Sequence, residues 1–162
     1  MNESVSLPHG ELPPEVINRI EDAVSRHSVG LVILDLHSNY STAASGTFVS
    51  VRGRPAILTA CHVIEKIKNT GNDLGLALAK YTHKFTLNIY SLEFKCAPKG
   101  ESESSGPDMG LIYINDRTKL DTIKAMKSFF NLDSYADLIR KEISIPETDF
   151  WCVFGIPEEM SD

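Results

Sequence analysis

A chain of 162 residues, 42% apolar and 23% charged, is long enough to bury one core, and its composition excludes the collagen-like, coiled-coil and disordered classes. Its 16 Lys and Arg against 22 Asp and Glu leave a formal net charge of −6. That sign argues against a nucleic-acid partner and against attachment to an anionic membrane. The three cysteines, Cys61, Cys96 and Cys152, are far apart and contain no CxxC pair, so neither a structural zinc site nor a disulfide framework is expected. Residues 1–14 lack the apolar stretch of a signal peptide, and no apolar run reaches the roughly 18 residues of a membrane span. The expectation is a cytoplasmic protein in a reducing compartment, with free thiols.

Residues 1–12 read as a loose polar arm. From Pro14, the apolar positions Val16, Ile17, Ile20, Ala23 and Val24 mark one face of an amphipathic helix over 15–25. Residues 29–37 (VGLVILDLH) are β-branched and apolar and predict a buried strand. Residues 44–52 (ASGTFVSVR) alternate and predict a second, joined through a tight turn at Gly53-Arg54-Pro55 to a third over 55–59. Val63, Ile64 and Ile67 predict a short helix over 61–68, followed over 69–80 by a polar loop and a small-residue apolar patch. One or two strands are expected over 83–94, a loop over 99–107, and a strand over 109–114. Leu120, Ile123, Met126, Phe129 and Phe130 stand near helical spacing and predict helix over 118–140. Residues 150–155 (FWCVFG) predict a last strand. Many short strands with Gly and Pro turns imply a mainly β barrel or sandwich with peripheral helices.

Two sites carry the chemistry. In Thr59-Ala60-Cys61-His62 a buried strand ends directly before a histidine, which fixes the backbone of the imidazole, while the small Ala60 leaves room for a group to approach it. In Gly106-Pro107-Asp108-Met109-Gly110 a carboxylate stands where a polar loop enters an apolar strand. A carboxylate there can accept the imidazole N–H and stabilise the imidazolium, the arrangement a general base needs. The two are 46 residues apart, so only the fold can join them.

These segments resemble a known family. SGTFVS…AILTACHVI is similar to the stretch around the catalytic His of trypsin-like and HtrA-like serine peptidases, PDMGLIYI to that around their catalytic Asp, and WCVFGIP to the strand that opens their second barrel. The resemblance covers about residues 29–157. It implies a trypsin-like Greek-key β-barrel, with His62 as general base and Asp108 as the carboxylate that orients it. Its layout would be an N-terminal arm and helix over 1–28, a first barrel over 29–147 with a helical insertion at about 118–141, and the first strand of a second, mostly missing barrel over 148–162. It implies no metal and no organic cofactor. The family's nucleophile lies in a G-(D/N)-S-G segment of the second barrel, and none follows Gly155. Ser104-Ser105-Gly106 precedes the Asp, in the wrong order, and is not assigned.

The sequence therefore reads as the N-terminal part of a trypsin-like serine endopeptidase whose Ser lies outside these residues, acting on a peptide or protein substrate once completed by a second barrel. The rival readings are a catalytically inactive, protease-derived binding module, which could self-associate through its exposed barrel face, and a truncated gene product. Cys61 is not expected to act as a nucleophile beside His62, because neighbours on an extended segment point to opposite faces. Cys152 is expected to be a core thiol. His9, His27, His37 and His83 lack any comparable context.

Overall fold

A computed structural model describes residues 13–34, 40–78, 85–97, 107–134 and 136. Helix α1 (Pro14–Ser25) begins at a proline, whose missing N–H costs nothing in a first turn. It buries none of its residues and so lies on the periphery, as its sequence predicts. Strands β1 (Ser28–Leu34), β2 (Tyr40–Val51) and β3 (Arg54–Thr59) form an antiparallel meander. The first half of β2 pairs with β1 and the second half with β3, and the handover falls at Gly46-Thr47. A Cβ on Gly46 would stand 2.5 Å from Ile57 Cγ2 and 3.2 Å from the Leu58 carbonyl, so only glycine lets β2 cross that corner.

The β2–β3 turn differs from its expected position. Arg54 and Pro55 already pair with Val51 and Ser50, and the reversal is made by Arg52 (φ 52°) and Gly53 (φ 71°). Two successive residues with positive φ give the local twist that suits a two-residue hairpin. The Asp133 carboxylate accepts the Arg52 N–H at 2.6 Å and steadies it.

After β3 comes helix α2 (Cys61–Thr70), then β4 (Leu74–Ala77), β5 (Phe85–Leu87), a 3₁₀ turn at Ile89–Ser91, β6 (Leu92–Cys96) and β7 (Gly110–Ile114). Strand β4 falls where a loop and an apolar patch were expected. Its Leu-Gly-Leu-Ala sequence is weak in strand formers, but Gly75 lets it lie against β1, where a Cβ would meet the Val32 carbonyl at 3.1 Å. The sheet order is β5-β4-β1-β2-β3-β7-β6. Its two end strands are consecutive in the chain and joined only by residues 88–91, which ties the ends of the curled antiparallel sheet together. The Asn88 side chain caps that link by accepting the Tyr90 N–H at 2.9 Å.

Leu31, Phe48, Ile57, Leu87 and Ile112 fill the concave side, and Ile64 and Ile67 of α2 close it. A smaller apolar cluster lies on the outside of β2, β3 and β7, around Val49, Ala56 and Tyr113. The Arg54 guanidinium lies 4.1 Å from the Tyr113 ring centroid, and Arg54 pairs with Glu93 at 2.5 Å.

The helix expected over 118–140 is interrupted over 127–131 and helical again at 132–134 and 136, while 137–140 lie outside the described residues. Helix α3 (Arg117–Met126) ends at an extended Lys127, and Phe130–Asn131 form strand β8, parallel to β2. Tertiary contacts override the helical spacing here. Phe129 packs against Phe48, ring centroids 5.1 Å apart, while Phe130 joins the outer cluster. The same segment is tied to the end of α1, with the Ser128 N–H on the Arg26 carbonyl at 2.8 Å and His27 Nδ1 on the Ser128 carbonyl at 2.9 Å. The expected strand at 150–155, Cys152, the 1–12 arm and the 99–106 part of the expected loop lie outside the described residues, as do His9, His37, His83 and Ser104-Ser105. Among the described residues no helix is long and apolar enough to cross a membrane.

Candidate functional site

The fold brings His62 and Asp108 together at the N-terminus of α2. Thr59, the last residue of β3, is buried and donates its hydroxyl to the Ser45 carbonyl at 2.9 Å, which ties that strand end to β2. Ala60 then turns the chain into the helix but has no side chain with which to cap it. Asp108, at the entrance to β7, supplies the missing cap from across the fold. Its Oδ1 accepts the His62 main-chain N–H at 3.1 Å, and its carboxylate also interacts with the Cys61 N–H. Its Oδ2 meets His62 Nδ1 in a short contact. One carboxylate therefore serves the helix end and the imidazole together.

The hydrogen bond from the His62 side chain holds the Asp108 carboxyl below the usual carboxylate range. Partial desolvation opposes this, and the His62 and Cys61 main-chain N–H groups reinforce it. Both side chains are open to solvent, 60% exposed for His62 and 55% for Asp108. With Nδ1 facing the carboxylate, the ring is held in one orientation and Nε2 is the ring nitrogen outside that contact.

Behind the pair, β7 runs close to α2. A Cβ on Gly110 would collide with Ile64 Cδ1 and stand 2.9 Å from the Lys95 carbonyl of β6. Glycine at this position lets the Asp108 strand approach the His62 helix. The Ala97 N–H extends the β6–β7 ladder by donating to the Met109 carbonyl at 2.8 Å, which fixes the residue that follows Asp108.

The cysteines correct the sequence expectation. Cys61 and Cys96 form a disulfide across a sequence separation of 35 residues. No local pattern announces it. The β6–β7 register sets Cys96 opposite Gly110, and the tightness of that glycine brings α2 and its first residue alongside. The argument from free thiols to a reducing, cytoplasmic location falls with this bond. The geometry argued for Cys61 is also corrected. Cys61 and His62 are the first two residues of a helix rather than part of an extended segment, and the disulfide is what commits the Cys61 sulfur.

The chain matches no protein-family model, and no curated protein or solved structure is significantly similar to it.

Proposed function

We propose that these residues are the N-terminal part of a trypsin-like serine endopeptidase, folded as the first Greek-key barrel of that family. The observation that carries this reading is the His62–Asp108 pair. Two residues singled out by separate motifs, 46 positions apart, meet through the imidazole and the carboxylate. The curled antiparallel sheet, whose two end strands follow one another in the chain, supports the barrel assignment.

In this reading a serine from outside the 162 residues attacks the peptide carbonyl. His62 Nε2 takes the hydroxyl proton and later returns it to the leaving amine. Asp108 keeps Nδ1 protonated and offsets the charge of the imidazolium as it forms. The exposure of the pair suits this role, because the nucleophile and substrate must reach Nε2 from solvent or from a second barrel.

The alternative reading is an inactive protease-derived module that binds a partner or a second copy. The test is labelling of the native full-length protein with a fluorophosphonate, which reports an activated serine. Labelling that is lost in His62→Ala supports the peptidase. A native protein that is never labelled, and whose coding frame adds no G-(D/N)-S-G segment, supports the binding module.

A further inference from the structure

The disulfide beside the site is asymmetric, and that asymmetry gives it a chemistry of its own. Cys96 ends strand β6 and is exposed, whereas Cys61 is 8% exposed and is the first residue of α2. Thiol–disulfide exchange requires access at the attacked sulfur and a leaving sulfur that carries negative charge readily. Cys96 meets the first requirement. The second falls to Cys61 by position: it is the buried partner of the attacked sulfur, and it leaves at a helix N-terminus whose amides the Asp108 carboxylate already engages.

We propose that Cys61–Cys96 is a thiol-exchange site, attacked at Cys96 by small thiols of the glutathione class, and that its opening loosens the Asp108 cap on α2. An external thiolate forms a bond to Cys96 Sγ. The Cys61–Cys96 bond breaks and its electron pair leaves on Cys61. A second external thiolate then attacks the external sulfur of the mixed disulfide and releases Cys96. The net change consumes two external thiols, yields one external disulfide and leaves two cysteine thiols.

The coupling to Asp108 follows from the local geometry. The bond fastens the first residue of α2 to the β6 end, and β6 pairs with the β7 strand that Asp108 enters. Opening it removes that cross-link. It also places a new negative charge on Cys61, one residue from the main-chain N–H that Asp108 binds, so two anions compete for one helix N-terminus. Ile57 and Ile112 pair directly across β3 and β7 and are fully buried.

This inference stands apart from the proposed peptidase activity, because its readouts are thiol chemistry and amide exchange. The oxidised chain is incubated with reduced glutathione under native conditions, the adduct is mapped by peptide mass spectrometry, and amide hydrogen exchange is followed by NMR. The expected result is a mixed disulfide on Cys96. On opening, the exchange rates of the His62 and Ala97 amides should rise by at least about tenfold more than those of the Ile57 and Ile112 amides, which follow global stability, the mark of a local opening added to the global effect. Cys96→Ser should reproduce the fast His62 amide in the absence of glutathione, and the reduced wild-type chain supplies the same readout if that variant does not fold. An adduct confined to Cys61 overturns the proposal. So does a His62 amide whose exchange rate rises no more than those of Ile57 and Ile112.

Discussion

Asp108 binds His62 twice, through Oδ1 to its main-chain N–H at 3.1 Å and through Oδ2 to its imidazole Nδ1. The first bond places the helix and the second orients the ring, so a single side chain links the end of α2 to the direction in which its imidazole points.

Acidification should undo that link. The Asp108 carboxyl is lowered in the folded protein, chiefly by the His62 side chain. Its stabilising contribution is therefore full above the ordinary aspartate pKa of about 3.9 and is lost as pH falls through the lower, folded value. Asp108→Asn should melt below the wild type at neutral pH, and the gap should close as pH drops below about 4. Thermal melts of both proteins across pH check this. A gap of constant size down to pH 2 would contradict the assignment.

Gly110→Ala should destabilise the chain by about 1–3 kcal/mol, the usual cost of overpacking. The added Cβ meets the Lys95 carbonyl at 2.9 Å, and that carbonyl belongs to a paired strand that cannot yield cheaply. Urea unfolding should show a lower midpoint at unchanged slope.

Thr59→Val keeps the size and β-branching of the side chain but deletes the hydroxyl that binds the Ser45 carbonyl at 2.9 Å. A loss of about 1 kcal/mol is expected. Thr59→Ser should recover most of the hydrogen-bond energy. If Val and Thr unfold alike, the bond contributes nothing net.

Ile64→Ala should cost about 2–5 kcal/mol, since Ile64 is 1% exposed and joins α2 to the core. The same variant should speed exchange of the His62 amide, because Ile64 seats the helix whose second residue is His62. Hydrogen exchange alongside denaturant unfolding separates the local effect from the global one.

Full reduction of Cys61–Cys96 should lower stability by about 4 kcal/mol on the chain-entropy account for a closed loop of this length. The separation it spans is 35 residues. Comparing urea midpoints with and without reductant measures this directly.

Much of this architecture is legible in the residues themselves. The alternation in β2, the β-branched run of β1 and the apolar stripe of α2 are local patterns, and short-range backbone sterics and burial read them without further help. His62 and Asp108 stand out for the same reason: each stands in the sequence beside an apolar strand, His62 after β3 and Asp108 before β7. The helix expected through Phe129 and Phe130 fails because those aromatics gain more from Phe48 and the outer cluster than from continuing α3. Strand β4 is missed because its small residues owe their conformation to the close approach of β1.

The sequence by itself determined the order of most of these elements and the identity of two chemically capable side chains, since both depend on neighbours a few positions away. Only the tertiary structure decided that one carboxylate caps α2 while holding the His62 ring, and that Cys61 is bonded to Cys96. Both are contacts between residues separated by dozens of positions. They exist because the β6–β7 register and the bare backbone of Gly110 bring a strand end and a helix end to the same point.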